Sequence, residues 1–242
     1  MQNRTRTGVS LFALALVVAL LARASIEIFV AASFWRSIWN IPSPLWPDPT
    51  LSRVLGLVLA GLYGVVALAG ALVVEQDRGL EVLPAEGSPD RPRIALAFAV
   101  FAGITVGGLD LFLYPEYVSG QSSLWSLRFF LQAGVAIAVG LYFFWTAVRL
   151  GGPSTRRVGL CALGLGITAG IFGPLSGALL IWGPATGGLE GNRPFYDTVA
   201  TLSVAGLLVG LVSLALWLMV FLRIRAISRS SPVLVGRGEL RA

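Results

Sequence analysis

The sequence predicts an all-α fold: a polytopic integral membrane protein built as a bundle of six transmembrane helices, with N- and C-termini on the cytoplasmic side. Three observations carry this. The chain is 56% hydrophobic and only 12% charged, with a mean hydropathy of +0.81, whereas ordinary soluble domains are about 25% charged. The apolar residues fall into six continuous runs, each long enough to cross a hydrocarbon core of about 30 Å as a helix. The charged residues sit mainly between those runs, and arginine is concentrated in alternate connections.

The six runs cover about 8–32, 51–74, 94–114, 124–148, 158–182 and 198–222. They are unbroken rather than alternating, so they read as helices and not as barrel strands. Together they make residues 1–228 one membrane domain, followed by a flexible cytoplasmic tail over 229–242. Between helices one and two, residues 33–50 contain Pro42, Pro44, Pro47 and Pro49 with Trp39 and Trp46. This predicts an ordered, non-helical cap. Residues 75–92 are polar, of mixed charge and proline-containing, which predicts a surface loop. The fourth connection is short and bracketed by Arg149, Arg156 and Arg157. Ala22-Arg23-Ala24 before Ser25 has the look of a signal-peptide cleavage site, but the apolar run resumes through Ile26 to Ala32, so the expectation is an uncleaved first helix.

Arginine distribution sets the predicted orientation. All 18 basic residues are arginine, and 13 of them lie in the N-terminus, the second and fourth connections and the C-terminal tail. Cytoplasmic loops carry such an excess, which places this side inside and the chain in the plasma membrane. From the other face, Trp35, Trp39, Trp46, Tyr114, Tyr117, Trp125, Trp182, Phe195 and Tyr196 cluster at predicted outer boundaries. Their amphipathic rings favour the headgroup region.

Composition removes several chemistries. With no lysine there is no Schiff-base cofactor. With no histidine and the single Cys161, the usual haem, copper and zinc ligand sets, cysteine clusters and an internal disulfide are excluded. No nucleotide-binding or metalloprotease motif occurs. Gly173-Pro174-Leu175-Ser176-Gly177 looks like a serine motif without the base that would activate it. The expectation is no cofactor, no metal site and no catalytic residue. The high basicity is explained by topology, so no nucleic-acid partner is expected.

Ionisable residues inside a membrane cost roughly 2.5–3.5 kcal/mol each on insertion scales. Arg23 and Glu27 lie four apart in helix one, and Arg128 and Gln132 four apart in helix four, so each pair shares a helix face. Asp110 lies about one turn from the outer end of helix three. These five residues form a candidate intramembrane polar cluster in the outer half. It is either a water-accessible cavity or a set of ion pairs locking helices one, three and four together. Helix five carries Gly166, Gly170, Gly173, Pro174 and Gly177. Their small-xxx-small spacing marks candidate helix packing. A broken helix offering carbonyls, with Thr168 and Ser176 supplying hydroxyls, is the other possibility. Gly103 and Gly107 repeat the small-residue spacing in helix three.

In layout, with Arg23 and Glu27 late in helix one, a long Pro/Trp-rich outer loop, and Gly173-Pro174 followed by Asn192, the chain resembles the C subunit of the copper-dependent membrane monooxygenases. The resemblance implies metal bound through an Asp-x-x-x-His pattern and another histidine. This chain has no histidine, and Asp110 matches by residue type alone. The resemblance would therefore make it a metal-free relative or an accessory subunit.

The functional expectation is a non-catalytic integral membrane subunit of a larger membrane protein complex, with a membrane protein partner or a homo-oligomer in the lipid bilayer. The alternative is a small solute or ion transporter with an outward-facing polar site. A lipid-modifying membrane enzyme is the third class, and it lacks a convincing acid–base group.

Overall fold

In a computed structural model of the chain, residues 3–24, 49–76, 90–112, 122–182 and 192–230 are described. They form six long helices: α1 (Asn3–Ala22), α2 (Pro49–Gln76), α3 (Asp90–Phe112), α4 (Ser122–Gly151), α5 (Pro153–Trp182) and α6 (Arg193–Ser230). No strand occurs among the described residues. All six are long and apolar enough to cross a membrane. The protein is a multi-pass membrane protein whose apolar helices face lipid.

The helices extend past the apolar runs. Pro stands within the first three residues of α2, α3, α5 and α6, where its fixed φ suits a helix start and its missing N–H costs nothing. Glu75 and Arg93, placed by polarity at the edges of a loop, are helical. The 38 residues of α6 span about 57 Å at a rise of ~1.5 Å per residue. Its polar ends, Arg193–Asp197 and Arg223–Ser230, therefore continue the helix beyond an apolar slab of about 30 Å.

The α4–α5 connection is tighter than its flanking arginines suggest, because Arg149, Arg156 and Arg157 are all helical. The turn is Gly152 alone, at φ 65°. Its N–H donates to the Val148 carbonyl at 2.9 Å. Thr155 then ties the turn to both helices. Its hydroxyl reaches the carbonyls of Ala147 and Gly152, each at 2.9 Å. The left-handed conformation suits glycine and, among other residues, asparagine. Gly152→Ala should cost about 1–2 kcal/mol, lowering the midpoint of thermal unfolding in detergent by a few degrees, with Gly152→Asn clearly milder. Equal melting of all three proteins would remove the turn from the account.

Neighbouring helices pack in the order α2, α1, α6, α5, α4, α3, an arc with α2 and α3 at its ends. The start of α1 and the end of α6 lie at one end of the bundle, called here the terminal end. Gly8 crosses Gly70 so closely that a methyl group at Gly8 would lie 2.9 Å from the Gly70 carbonyl oxygen. On the other flank Phe98 of α3 sits over Gly134 of α4, whose added methyl would lie 3.1 Å from the ring. The core occupies the terminal half, where Phe12 of α1, Phe143 of α4 and Phe221 of α6 meet with ring centroids 5.1–5.4 Å apart. Trp217 and Tyr142 complete the cluster. Aromatic pairs in such tilted and edge-on arrangements add about 0.5–1.5 kcal/mol each.

Candidate functional site

Above the aromatic core, the same helix faces carry different residues. On α1 the face of Phe12 and Leu16 leads to Arg23. On α6 the face of Trp217 and Ser213 leads to Gly210. On α4 the face of Tyr142 and Val139 leads to Gln132 and Arg128. These assignments follow from three- and four-residue spacing. The α-helix ends at Ala22, and a π turn carries Arg23 and Ala24. Such a turn re-aims a side chain and is frequent at functional sites. The Arg23 guanidinium lies directly on Gly210, where no side chain intervenes. Tyr63 of α2 is near enough to feel its charge.

Arg128 donates to the Gln132 side-chain carbonyl at 3.3 Å and lies 5.2 Å from the centre of the Phe129 ring. Gln132 is exposed and Arg128 half-buried, so the α4 face that is core at the terminal half opens at the far half. The structure thus brings Arg128 to Gln132, and Arg23 to α6. Glu27 lies outside the described residues. Asp110 falls in the last turn of α3, and its side chain lies outside the described ones.

The small residues of α5 divide into two groups. Gly166 faces Ser213 of α6, with 3.0 Å between the serine Oγ and an added methyl. Gly170 faces Ala136 of α4, where the corresponding distance is 2.9 Å. Gly173 has open space on its own Cα, but its backbone nitrogen would be 3.1 Å from a methyl at Gly206. Pro174 is buried and α5 runs through it unbroken. Gly177 is helical, with its packing outside the described residues. The hydroxyls are committed to backbone carbonyls. Thr168 donates to Gly164 at 3.0 Å, Ser176 to Gly173 at 2.7 Å, and Ser213 across to Ala162 of α5 at 2.8 Å.

A second charged group lies at the terminal end. Glu75, in the last turn of α2, faces Nε of Arg93 on α3 at 3.6 Å and Nη1 of Arg149 on α4 at 3.8 Å. The Glu75 and Arg149 side chains are only 14% and 13% exposed, and Arg93 is 60% exposed. Arg149 in the last turn of α4 also complements the negative end of that helix dipole. Sequence reasoning missed this triad because it joins three helices with no local spacing to announce it. Beside it, α2 and α3 leave a crevice of about 550 Å³ with a nearly all-apolar wall.

No family model, curated protein or solved structure matches the chain. What the protein does must therefore be read from its own residues. The far half carries Arg23 against α6 and, separately, the Arg128–Gln132 pair on α4. The terminal half offers a charged clasp next to an apolar crevice, and can hold an amphiphile or brace helices.

Proposed function

We propose that the chain is a non-catalytic integral membrane subunit of a larger complex in the plasma membrane, with both termini cytoplasmic. The observation that carries this reading is a set of glycines that face nothing among the described residues. Gly61 and Gly64 on α2, and Gly103, Gly107 and Gly108 on α3, each have open space where a side chain would begin. Glycine costs about 1 kcal/mol in a helix interior relative to alanine. Bare backbone in a membrane helix is favourable where another helix approaches closely. These positions stand on α2 and α3, the two ends of the arc. The arginine-rich terminal end, with Arg4, Arg6, Arg93, Arg149, Arg156, Arg157, Arg223 and Arg225, supports a cytoplasmic placement of that end.

Native purification in mild detergent followed by mass spectrometry tests the reading. A fixed partner, or a second copy of the chain, should copurify. Gly107→Leu should release it while leaving the thermal midpoint of the isolated chain within about 1–2 °C, since a surface change is worth within ±0.5 kcal/mol. Purification as a lone monomer, unchanged by Gly107→Leu, would defeat the proposal.

A second reading has its own support. Arg23, seated on α6, and the Arg128–Gln132 pair lie towards the far end, which suits an outward-facing polar site for a small solute or ion. In that case Asp110→Asn would abolish flux in proteoliposomes without unfolding the protein, whereas a subunit would tolerate it.

A further inference from the structure

We propose that the crevice between α2 and α3 binds an anionic phospholipid from the leaflet at the terminal end, with one acyl chain along the crevice and the headgroup on Arg93. This does not rest on the subunit reading: of the glycines offered to a partner, Gly103 falls at the edge of the crevice and the others lie beyond its lining residues, and a photo-crosslink separates a lipid from a partner chain.

The walls fit a hydrocarbon chain. Leu68 and Leu72 of α2 face Leu96, Val100, Phe101 and Ile104 of α3. From Arg93 to Ile104 the crevice rises about 16 Å along the helix, close to the ~15 Å depth of one leaflet. Among the described residues its side is open, which lets a lipid enter laterally.

A transmembrane helix about 10 Å across fills roughly 80 Å³ per ångström of its length. A space of about 550 Å³ would therefore enclose only about 7 Å of one, little more than a single turn. The same volume falls within the ~300–1,000 Å³ usual for small-ligand sites.

Charge selects the headgroup. Two guanidiniums, Arg93 and Arg149, converge on the one carboxylate of Glu75. Arg93 lines the crevice, faces Glu75 through Nε and is 60% exposed, so a headgroup can reach its guanidinium. A guanidinium presents five donors in a fork that matches phosphate oxygens. Basic pockets between transmembrane helices select anionic headgroups in this way. A zwitterionic or neutral lipid fills the apolar part equally well, but its headgroup offers the arginine no net charge.

The test is native mass spectrometry of the full chain in a neutral detergent, with dioleoyl-phosphatidylglycerol or dioleoyl-phosphatidylcholine added at matched concentrations. Phosphatidylglycerol should bind about fivefold more tightly, a preference of the size one surface arginine supplies. Arg93→Gln should bring the two lipids to parity, and Arg93→Lys should keep part of the preference. Arg156→Gln, an exposed arginine at the same end, should leave it intact. Ala97→Trp, which fills the crevice, should remove binding of both lipids. Equal binding by the native chain, an equal loss in Arg156→Gln, or retained binding in Ala97→Trp would each overturn the proposal. A photo-crosslinker replacing Phe101 in intact membranes should yield a lipid adduct, and a polypeptide adduct instead would overturn it as well.

Discussion

Gly206→Leu is expected to lower the thermal midpoint of the purified protein by at least about 6–12 °C. Among the described helices the most extensive contact is between α5 and α6, and at Gly206 it is backbone against backbone. A methyl group there would lie 3.1 Å from the Gly173 nitrogen, 3.1 Å from Phe172 Cβ and 3.5 Å from the Phe172 carbonyl carbon. A flexible side chain can turn away from an intruding methyl, but a helix backbone cannot. Overpacking an ordinary core costs about 1–3 kcal/mol, and this site belongs at or above the top of that range. At about 2–4 °C per kcal/mol for a chain of this size, the shift follows. Tryptophan fluorescence during heating in detergent measures it. Gly164→Leu is the matched control, because nothing lies within 4 Å of that glycine, and it should melt with the native protein. If the two variants melt together, close α5–α6 packing is not what glycine supplies at position 206.

That contrast shows where the sequence was informative. The six helices were legible because a membrane span is defined by length and composition, and each run has both. Their ends were less so. Glu75, Arg93 and Arg223 to Ser230 are polar, and polarity marks where the apolar slab stops rather than where the helix stops. Gly151-Gly152-Pro153 was readable as a stop and restart, with a left-handed glycine followed by proline at the first helical position. The arginines around it drew the reading towards a longer connection.

Facing was the harder problem. A helix that is apolar all round has no polar face to show which side is buried. The aromatic core of Phe12, Tyr142, Phe143, Trp217 and Phe221 therefore left no trace in the sequence, and aromatic residues were read as rim anchors alone. The candidate cluster was legible only where it was local. Arg128 and Gln132 are four apart and do bond. The seat of Arg23 on Gly210 joins residues far apart in the chain, and no spacing rule reaches that far. Gly173 shows the limit of a motif. The Gly-x-x-x-Gly spacing was present, yet the close approach at Gly173 is made by its backbone nitrogen to Gly206 and not by its own bare Cα.

Glu75→Gln is expected to destabilise the protein by about 3 kcal/mol, the lower end of the range for breaking a buried ion pair by removing one partner. The lower end is appropriate because the N–O distances are 3.6 and 3.8 Å, longer than a charge-assisted hydrogen bond at its best. The cost comes mainly from Arg149. Its side chain is 13% exposed and would remain largely out of water with one counter-charge fewer. Arg93 is well exposed and should contribute little, since exposed pairs are worth about 0.2–1 kcal/mol. This orders the single variants. Glu75→Gln should lower the thermal midpoint by about 6–12 °C, Arg149→Gln by less, and Arg93→Gln by about 1–2 °C. The double variant Glu75→Gln with Arg149→Gln should recover part of the loss, because it removes the largely buried charge along with its counter-charge. A Glu75→Gln protein that melts like the native chain would mean that α2, α3 and α4 are held at the terminal end by packing alone. The small stability cost assigned to Arg93→Gln is also what makes that variant a clean probe of headgroup selection at the crevice.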